Sequence, residues 1–463
     1  MFDKILIANR GEIALRVIRT CRDLGVRTVA VYSTPDADAR FVRAADEAVH
    51  IGPGAPTRSY LNIPNIIGAA VKTGAEAVHP GYGFLSEDPY FAEICADDGI
   101  TFIGPPPDVM ESVGDKAVAR RLMTAAGLPL LPGTTEPVDS VESAEEIARE
   151  IGYPVIIKAA AGGGGRGITV VRRPEDLREA YATTRAGALA VFKNSAVYLE
   201  RYLPHTRHIE IQVLCDDFDG AVHLGERDCS VQRRHQKLVE ESPGPDLTPD
   251  LRARLGAAAV AGARAVGYRG AGTVEFLLEA NPGTDPGTDP GPRTEDAFWF
   301  MEMNARIQVE HPVTELVTGV DLVAEQLRVA SGAPLTVKQD DIEVRGHAVE
   351  CRINAEDPDR GFAPTPGLLE HYRIPGGPWV RVDTDYVPGS RVSPYYDSMI
   401  GKLIVWGPDR PTALDRTLRA LAEFEVSGPG VHTTIGLHQE IISHPEFRRG
   451  GVTTDFLTRH FTL

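Results

Sequence analysis

Apolar positions in the first hundred residues come in short runs separated by stretches of helical spacing. Lys4–Ala8 (K-I-L-I-A) reads as a buried strand, the stretch from Gly11 to about Leu24 as a helix, and Thr28–Tyr32 (T-V-A-V-Y) as the next strand. Two strands joined by a helix make a right-handed βαβ unit. Ala75–His79 and Ile100–Ile103 fit as further strands of the same sheet. The first turn, Ala8-Asn9-Arg10-Gly11-Glu12, has no G-x-G-x-x-G, which argues against a dinucleotide site. His79-Pro80-Gly81-Tyr82-Gly83-Phe84-Leu85 stands where strand passes to loop; it suits a glycine-rich turn that offers an aromatic to a ligand, or a plain turn.

Beyond Asp115-Lys116 the pattern changes. Val155-Ile156-Ile157-Lys158 is an apolar strand that delivers a lysine into a run of alanine and glycine ending at Gly167, and Ile168–Val171 is a second strand. Glycines let backbone N–H groups close over phosphates, because no Cβ blocks the approach. The run therefore fits a hairpin lid over phosphates, with a linker as the plainer reading; the spacing is not that of a Walker loop. Val197–Leu203 is a strand running into a connector, which suits an adenine edge or an interdomain hinge equally. His208-Ile209-Glu210-Ile211-Gln212-Val213 alternates strictly and predicts a half-buried strand with His208, Glu210 and Gln212 on one face. Gly272–Glu279 is another strand, with the carboxylate of Glu275 inside it. A helix around Ala413–Glu423, a turn at 427–430 and a closing helix complete the pattern.

Phe300–Pro312 (F-M-E-M-N-A-R-I-Q-V-E-H-P) carries the densest chemistry. Glu302, Asn304, Arg306, Gln308 and Glu310 alternate with Met301, Met303, Ala305, Ile307 and Val309. If the whole stretch is extended, the polar set faces one cavity and the apolar set faces the core. Carboxylates and an amide are hard oxygen ligands suited to a Mg²⁺ that also holds phosphates. The arginine among them offers a fork of donors for a small oxyanion. A solvated face of an edge strand is the alternative. Glu275 and Glu302 lie on strands separated by a connection, so both can reach one metal.

Composition narrows the function class. The chain has 463 residues, 42% hydrophobic and 24% charged, which suits about three soluble domains. A net charge of −17 argues against nucleic-acid binding and means that a phosphate site needs local cations. Gln232-Arg233-Arg234-His235-Gln236-Lys237 is such a basic cluster, though a solvated loop would read the same. The five cysteines are scattered without a C-x-x-C pair, so neither a disulfide framework nor a zinc site follows, and a cytoplasmic location fits. No signal peptide and no membrane-length apolar run stands out. Asn281–Arg293 (N-P-G-T-D-P-G-T-D-P-G-P-R) cannot bury apolar area and reads as a surface loop without chemistry.

Taken in order, K-I-L-I-A-N-R-G-E-I-A, H-P-G-Y-G-F-L-S-E, Q-R-R-H-Q-K, E-M-N-A-R-I-Q-V-E-H-P, H-A-V-E-C-R-I-N-A-E and P-Y-Y-D-S-M-I-G-K-L strongly resemble biotin carboxylase, the ATP-grasp component of the biotin-dependent carboxylases. The resemblance covers nearly the whole chain, whereas other ATP-grasp ligases resemble only the central third. It implies a mixed α/β and α+β fold: a Rossmann-like N-terminal domain (1–113), an ATP-grasp domain (114–331) with a mobile lid at about 130–203, and a C-terminal α+β domain (332–463).

The resemblance also implies ATP, Mg²⁺ or Mn²⁺, bicarbonate and carrier-borne biotin. By matching motif, Lys116 and Lys158 would bind ATP phosphates, with Gly164 and Gly165 as lid contacts. Glu200, Arg201, Tyr202 and Leu203 would hold adenine, with His208 and His235 near the nucleotide. Glu275, Glu302 and Asn304 would hold the metal. Lys237, Arg306, Gln308 and Val309 would bind bicarbonate, and Glu310 would be the base. Arg352 would contact biotin, with Tyr82 nearby. His347 and Glu350 are open to a structural role, and Asp397 is left outside the catalytic set. Ala161, Ala305 and the Pro-Gly insert depart from the family pattern without touching these roles. The sequence contains no Met-Lys, the pair around a biotinyl lysine, so a biotin carboxyl carrier protein is expected to bring biotin unless the chain is a fragment. Carboxyltransferase subunits and a homodimer are the other partners implied, in acetyl-CoA or another acyl-CoA carboxylation and in fatty acid synthesis. An ATP-grasp ligase joining a carboxylate to an amine is the runner-up, and a non-catalytic regulatory homologue the third reading.

Overall fold

The structure, a computed structural model, describes residues 1–160, 167–279 and 297–461; Gly164, Gly165 and the Pro-Gly insert lie outside these ranges. The alternation of strand and helix near the N-terminus builds the expected unit. Strands Lys4–Ile7 (β1), Arg27–Ser33 (β2), Glu47–Gly52 (β3), Ala77–His79 (β4) and Thr101–Phe102 (β5) form a five-stranded sheet in the order β3-β2-β1-β4-β5. All of its pairings are parallel. Ile5, Leu6 and Ile7 are fully buried, as expected of a strand covered on both faces. The sequence reading missed β3. It is an edge strand in which only Ile51 is buried, so it carries no apolar run to detect.

Strands Val155–Ala159 (β6), Ile168–Val171 (β7) and Val197–Arg201 (β8) form a separate sheet in the order β7-β6-β8. Helices Val141–Ile151 and Leu177–Phe192 cover it, and Val155, Ile157, Leu177, Tyr181 and Leu199 make its own small core. The lid is thus an independently packed unit that carries Lys158 and Glu200.

Eight longer-range strands follow: Thr206–Cys215 (β9), Ala221–Arg233 (β10), Gln236–Ser242 (β11), Gly270–Glu279 (β12), Phe298–Asn304 (β13) and His347–Asn354 (β14), then Val380–Asp383 and Met399–Gly407. They form one eight-stranded sheet in the order β13-β12-β9-β10-β11-β14, then 399–407 and 380–383. The sheet continues from the central region into the C-terminal one through the β11–β14 pairing.

Two local expectations need correction. The His208–Val213 strand is not half-buried: every residue of β9 is buried. Its polar face packs on Arg227, a fully buried guanidinium that donates to Gln212 Oε1 at 2.8 Å, Glu210 Oε2 at 3.2 Å and Thr273 Oγ1 at 3.1 Å. The Phe300–Pro312 stretch is not extended throughout. β13 ends at Asn304, and a helix runs over His311–Thr318. Pro312 sits in that helix's first turn, where its missing N–H costs nothing. Among the described residues no helix is long and apolar enough to cross a membrane.

Candidate active site

A cavity of about 1160 Å³ opens between the N-terminal sheet, the lid and the eight-stranded sheet. Tyr82, Lys116, Lys158, Glu200, Arg201, Tyr202, Leu203, His208, His235, Lys237, Glu275, Glu302, Asn304, Arg306, Gln308, Val309 and Arg352 all line it. Glu310 does not line it: it is fully buried, and its two oxygens are held by Lys237 and Arg352, which do border the cavity.

At the lid end, Lys158 pairs with Glu200, whose other oxygen accepts from Arg120 Nη1 at 3.0 Å. Lys116 opens onto the cavity, and its partial enclosure there together with the charge of Lys158 holds its ammonium below the usual value, which marks two like charges brought to one place. Such a pair suits a polyanion. The N–H groups of Arg201 and Tyr202 are committed to the carbonyls of Pro132 and Pro154, so neither donates to a ligand in this arrangement.

The basic cluster is a hairpin turn. Gln232 pairs with Lys237 and Arg233 with Gln236, leaving Arg234 and His235 at the tip with φ of 47° and 68°. Left-handed backbone in both central residues matches the twist of the flanking strands, although neither is glycine. Arg233 fastens the turn to the C-terminal region: its guanidinium lies 4.0 Å from the Phe362 ring centre and donates to Gly361 O at 2.9 Å. The turn leaves Lys237 pointing inward.

Lys237 is the hub. Its Nζ lies 2.8 Å from Glu310 Oε1 and 3.1 Å from Glu275 Oε1, and it also contacts Glu210. Burial alone would lower the lysine, but the charges of Glu275 and Glu310 outweigh it, so the ammonium is held above its ordinary range. Arg352 Nη2 reaches the other oxygen of Glu310 at 2.9 Å, and its Nε donates to Glu240 Oε1 at 2.6 Å. Burial opposes ionisation of Glu310, yet Lys237 and Arg352 hold its carboxyl well below the usual carboxylate range.

The donor set nearby fits a hard divalent cation. Glu275 and Glu302 are direct partners across β12 and β13. Glu302 opens onto the cavity, and its enclosure there together with the charge of Glu275 pushes its carboxyl up, a penalty that a cation between the two removes. Asn304 Nδ2 and Gln308 Nε2 donate to Glu275 Oε1 at 2.9 and 3.2 Å, and His208 Nε2 lies 2.9 Å from Glu275 Oε2. Arg306 is held by Glu87 at 2.9 Å and donates to Asn304 Oδ1 and Gln308 Oε1.

Sequence reading missed Glu12, Glu87, Arg120, Glu240 and Lys402 and gave Glu210 no role. Lys402, fully buried, donates to the carbonyl of Val309 at 2.8 Å and lies 3.0 Å from Glu12 Oε1, while Tyr82 hydrogen-bonds Glu12. Charged residues inside apolar strands were the available signal for Glu210, Glu240 and Lys402. His347 pairs at 2.8 Å with Glu241, a carboxyl that His347 and Arg410 hold, against its burial, at about 2. Asp397 lines the cavity and accepts from the Met399 N–H.

Family models place this architecture. "Biotin carboxylase, N-terminal domain" matches residues 1–110, "Carbamoyl-phosphate synthase L chain, ATP binding domain" residues 115–338, and "Biotin carboxylase C-terminal domain" residues 350–459. The biotin carboxylase of Nostoc sp. is 53% identical over 456 residues, covering 98% of each chain. The chain belongs to the biotin carboxylase family. Another relative is a pyruvate carboxylase subunit from Methanothermobacter thermautotrophicus, 52% identical over 99% of this chain and 90% of its own. The biotin carboxylase domain dimer of Hydrogenobacter thermophilus 2-oxoglutarate carboxylase, solved with MgADP, ADP and bicarbonate, superimposes with a TM-score of 0.90. It is 48% identical over 99% of this chain and 98% of its own. Biotin carboxylases thus serve carboxylases with different final acceptors, and the cavity lies wholly within the region the relatives share.

Proposed function

We propose that the chain carboxylates biotin with bicarbonate at the expense of ATP. The observation that carries this is the clamp on Glu310: a fully buried carboxylate held between Lys237 and Arg352, beside a carboxylate pair fit for Mg²⁺ and a lysine pair fit for phosphates. An amine-joining ligase has no evident use for the Arg352 end of this arrangement.

Lys116 and Lys158 bind the ATP phosphates, and Glu275, Glu302 and Asn304 hold Mg²⁺ or Mn²⁺. A bound ion would supply charge neutralisation on the transferring phosphoryl group, most of what a protein can do for this step. Glu200–Leu203, with His208 and His235, border the nucleotide. Bicarbonate lies against Lys237, Arg306, Gln308 and Val309. Its proton passes to Glu310 while its oxygen attacks the γ-phosphorus and ADP leaves. A depressed carboxylate is a weak base, but Lys237 and Arg352 act on the bound bicarbonate too and raise its acidity alongside. Carboxyphosphate breaks down to CO₂ and phosphate, the phosphate takes the N1′ proton of biotin, Arg352 stabilises the charge left on the ureido oxygen, and N1′ then bonds to the carbon of CO₂ to give carboxybiotin. Closure of the lid over the site keeps water from the intermediate.

Biotin arrives on a carrier protein, the product passes to carboxyltransferase subunits, and the chain works as a homodimer like its Hydrogenobacter relative. An acetyl-CoA carboxylase in fatty acid synthesis is one setting; relatives named for pyruvate and 2-oxoglutarate carboxylases are others. A cytoplasmic location accords with this reading.

The test is phosphate release from ATP with Mg²⁺, bicarbonate and free biotin, each omitted in turn. Bicarbonate is required and biotin accelerates the reaction; equal rates with and without bicarbonate overturn the reading. Glu302→Gln raises the Mg²⁺ concentration needed for half-maximal turnover by about tenfold, because one ligand charge is lost, and added metal restores much of the turnover. Unchanged metal dependence would remove Glu302 from the ligand set.

A further inference from the structure

Behind Arg352 lies a pair of carboxyls that the reaction described above does not use. Glu240 on β11 and Glu350 on β14 are direct partners across the antiparallel ladder, and both are fully buried. Partners of this kind project from the same face with Cβ atoms about 5 Å apart. Glu240 Oε1 accepts from Arg352 Nε at 2.6 Å, but its Oε2 has no hydrogen-bond partner among the described residues, nor has either oxygen of Glu350. Two ionised carboxylates facing each other without donors would be strongly disfavoured. A single proton removes the repulsion and turns Glu350 into a donor for the vacant oxygen of Glu240.

We propose that Glu240 and Glu350 are a one-proton carboxyl pair that positions Arg352, Glu240 supplying the fixed charge and Glu350 holding the proton. This rests on the reading of Arg352 as the biotin-side cation. Arg352 is then shared between one carboxylate behind it, Glu240, and one before it, Glu310. A second charge at Glu350 would draw the guanidinium back from the cavity and blunt its response to negative charge on the substrate.

The surroundings favour the proton on Glu350. Burial pushes Glu350 well above the usual carboxylate range; Lys402 and Arg352 oppose this, while Glu240 and Glu310 add to it. Lys402, from strand 399–407, is already engaged by Glu12 and the carbonyl of Val309. Tyr82 faces the same cluster and is bound to Glu12. His438, from helix Ile435–Ser443, contacts the Arg352 carbonyl, and burial holds it at about 4, so it brings no charge at neutral pH. A folded-state value above the unfolded one means that stability is lost as pH rises from the ordinary glutamate range toward the folded value.

The experiment begins with infrared spectroscopy of the ligand-free protein, which needs no assumption about the reaction. The wild type shows a protonated-carboxyl C=O band at neutral pH, and Glu350→Gln removes intensity from it. The Gln variant also melts higher than wild type, by a margin that grows with pH. In the biotin-dependent assay, Glu350→Gln retains a neutral donor and holds the biotin KM within about threefold. Glu350→Leu leaves Glu240 without that donor, and Glu240→Gln leaves Arg352 without its counter-charge; both raise the biotin KM about tenfold or more while the ATP KM moves less than threefold. Absence of the band in the wild type overturns the proposal without any variant, as does a band unchanged by Glu350→Gln. If that variant does not fold, Glu350→Leu must remove the band instead. A band that behaves as expected in a protein without bicarbonate-dependent activity would keep the pair and reject the proposed reaction.

Discussion

Replacing Glu310 by Gln lowers kcat by about 10²–10⁴-fold, the usual worth of general-base assistance. Gln keeps the shape but cannot accept the bicarbonate proton. Nor can it neutralise Lys237 and Arg352 together, which bracket the carboxylate at 2.8 and 2.9 Å. The apparent affinity for ATP stays within about threefold, because the lysine pair and the Glu275–Glu302 pair are untouched. Both cations retain other carboxylates, Glu210, Glu275 and Glu240, so the stability loss falls at the low end of the ~3–5 kcal/mol for breaking a buried ion pair. The pH dependence has a definite sign. A folded-state value below the unfolded one contributes stability present above the ordinary glutamate value of ~4.3 and lost as pH falls through the folded value. An acid limb in kcat above pH ~5 therefore belongs to another group. Near-wild-type turnover of Glu310→Gln, or recovery at high Mg²⁺, would show that Glu310 is structural or a metal-side acid.

The second large effect is expected at the hub. Lys237→Met conserves length and removes the charge that Glu210, Glu275 and Glu310 share. Leaving buried carboxylates uncompensated is destabilising by roughly 3–5 kcal/mol, measurable as a lower urea midpoint at pH 7 with little change in slope. Activity is lost as well, since the same ammonium lies where bicarbonate is to bind. Without the lysine the three carboxyls hold protons more tightly, so the stability deficit against wild type shrinks as the pH is lowered toward 5. A deficit independent of pH would show that Lys237→Met fails by poor packing and not by loss of charge.

Much of the site was legible because strand periodicity and hard-ligand chemistry are local. Lys158 does lie in the apolar strand before the glycine run, and Glu275 does face Glu302 in register. The Phe300–Pro312 pattern was legible only to Asn304, because strict alternation does not reveal where the chain turns into the helix that follows. Glu310 consequently sits behind the cavity wall and not on a strand face beside Glu302.

The sequence by itself determined many of the buried strands, that phosphates, an oxyanion and a divalent cation could be met together, and which family carries these motifs in this order. Those properties follow from residue type and short-range spacing. Tertiary structure alone decided the charge state of the site. Arg352 meets Glu240 across 112 residues of chain, and Lys237 meets Glu310 across 73, so neither clamp has a local signature. It also decided that one sheet runs through β11 and β14 into the C-terminal region, placing Glu240 opposite Glu350. The reason is physical: long-range strand pairing is fixed by the burial of whole faces, and only burial turns an ordinary glutamate or lysine into a group with fixed partners and a displaced proton affinity.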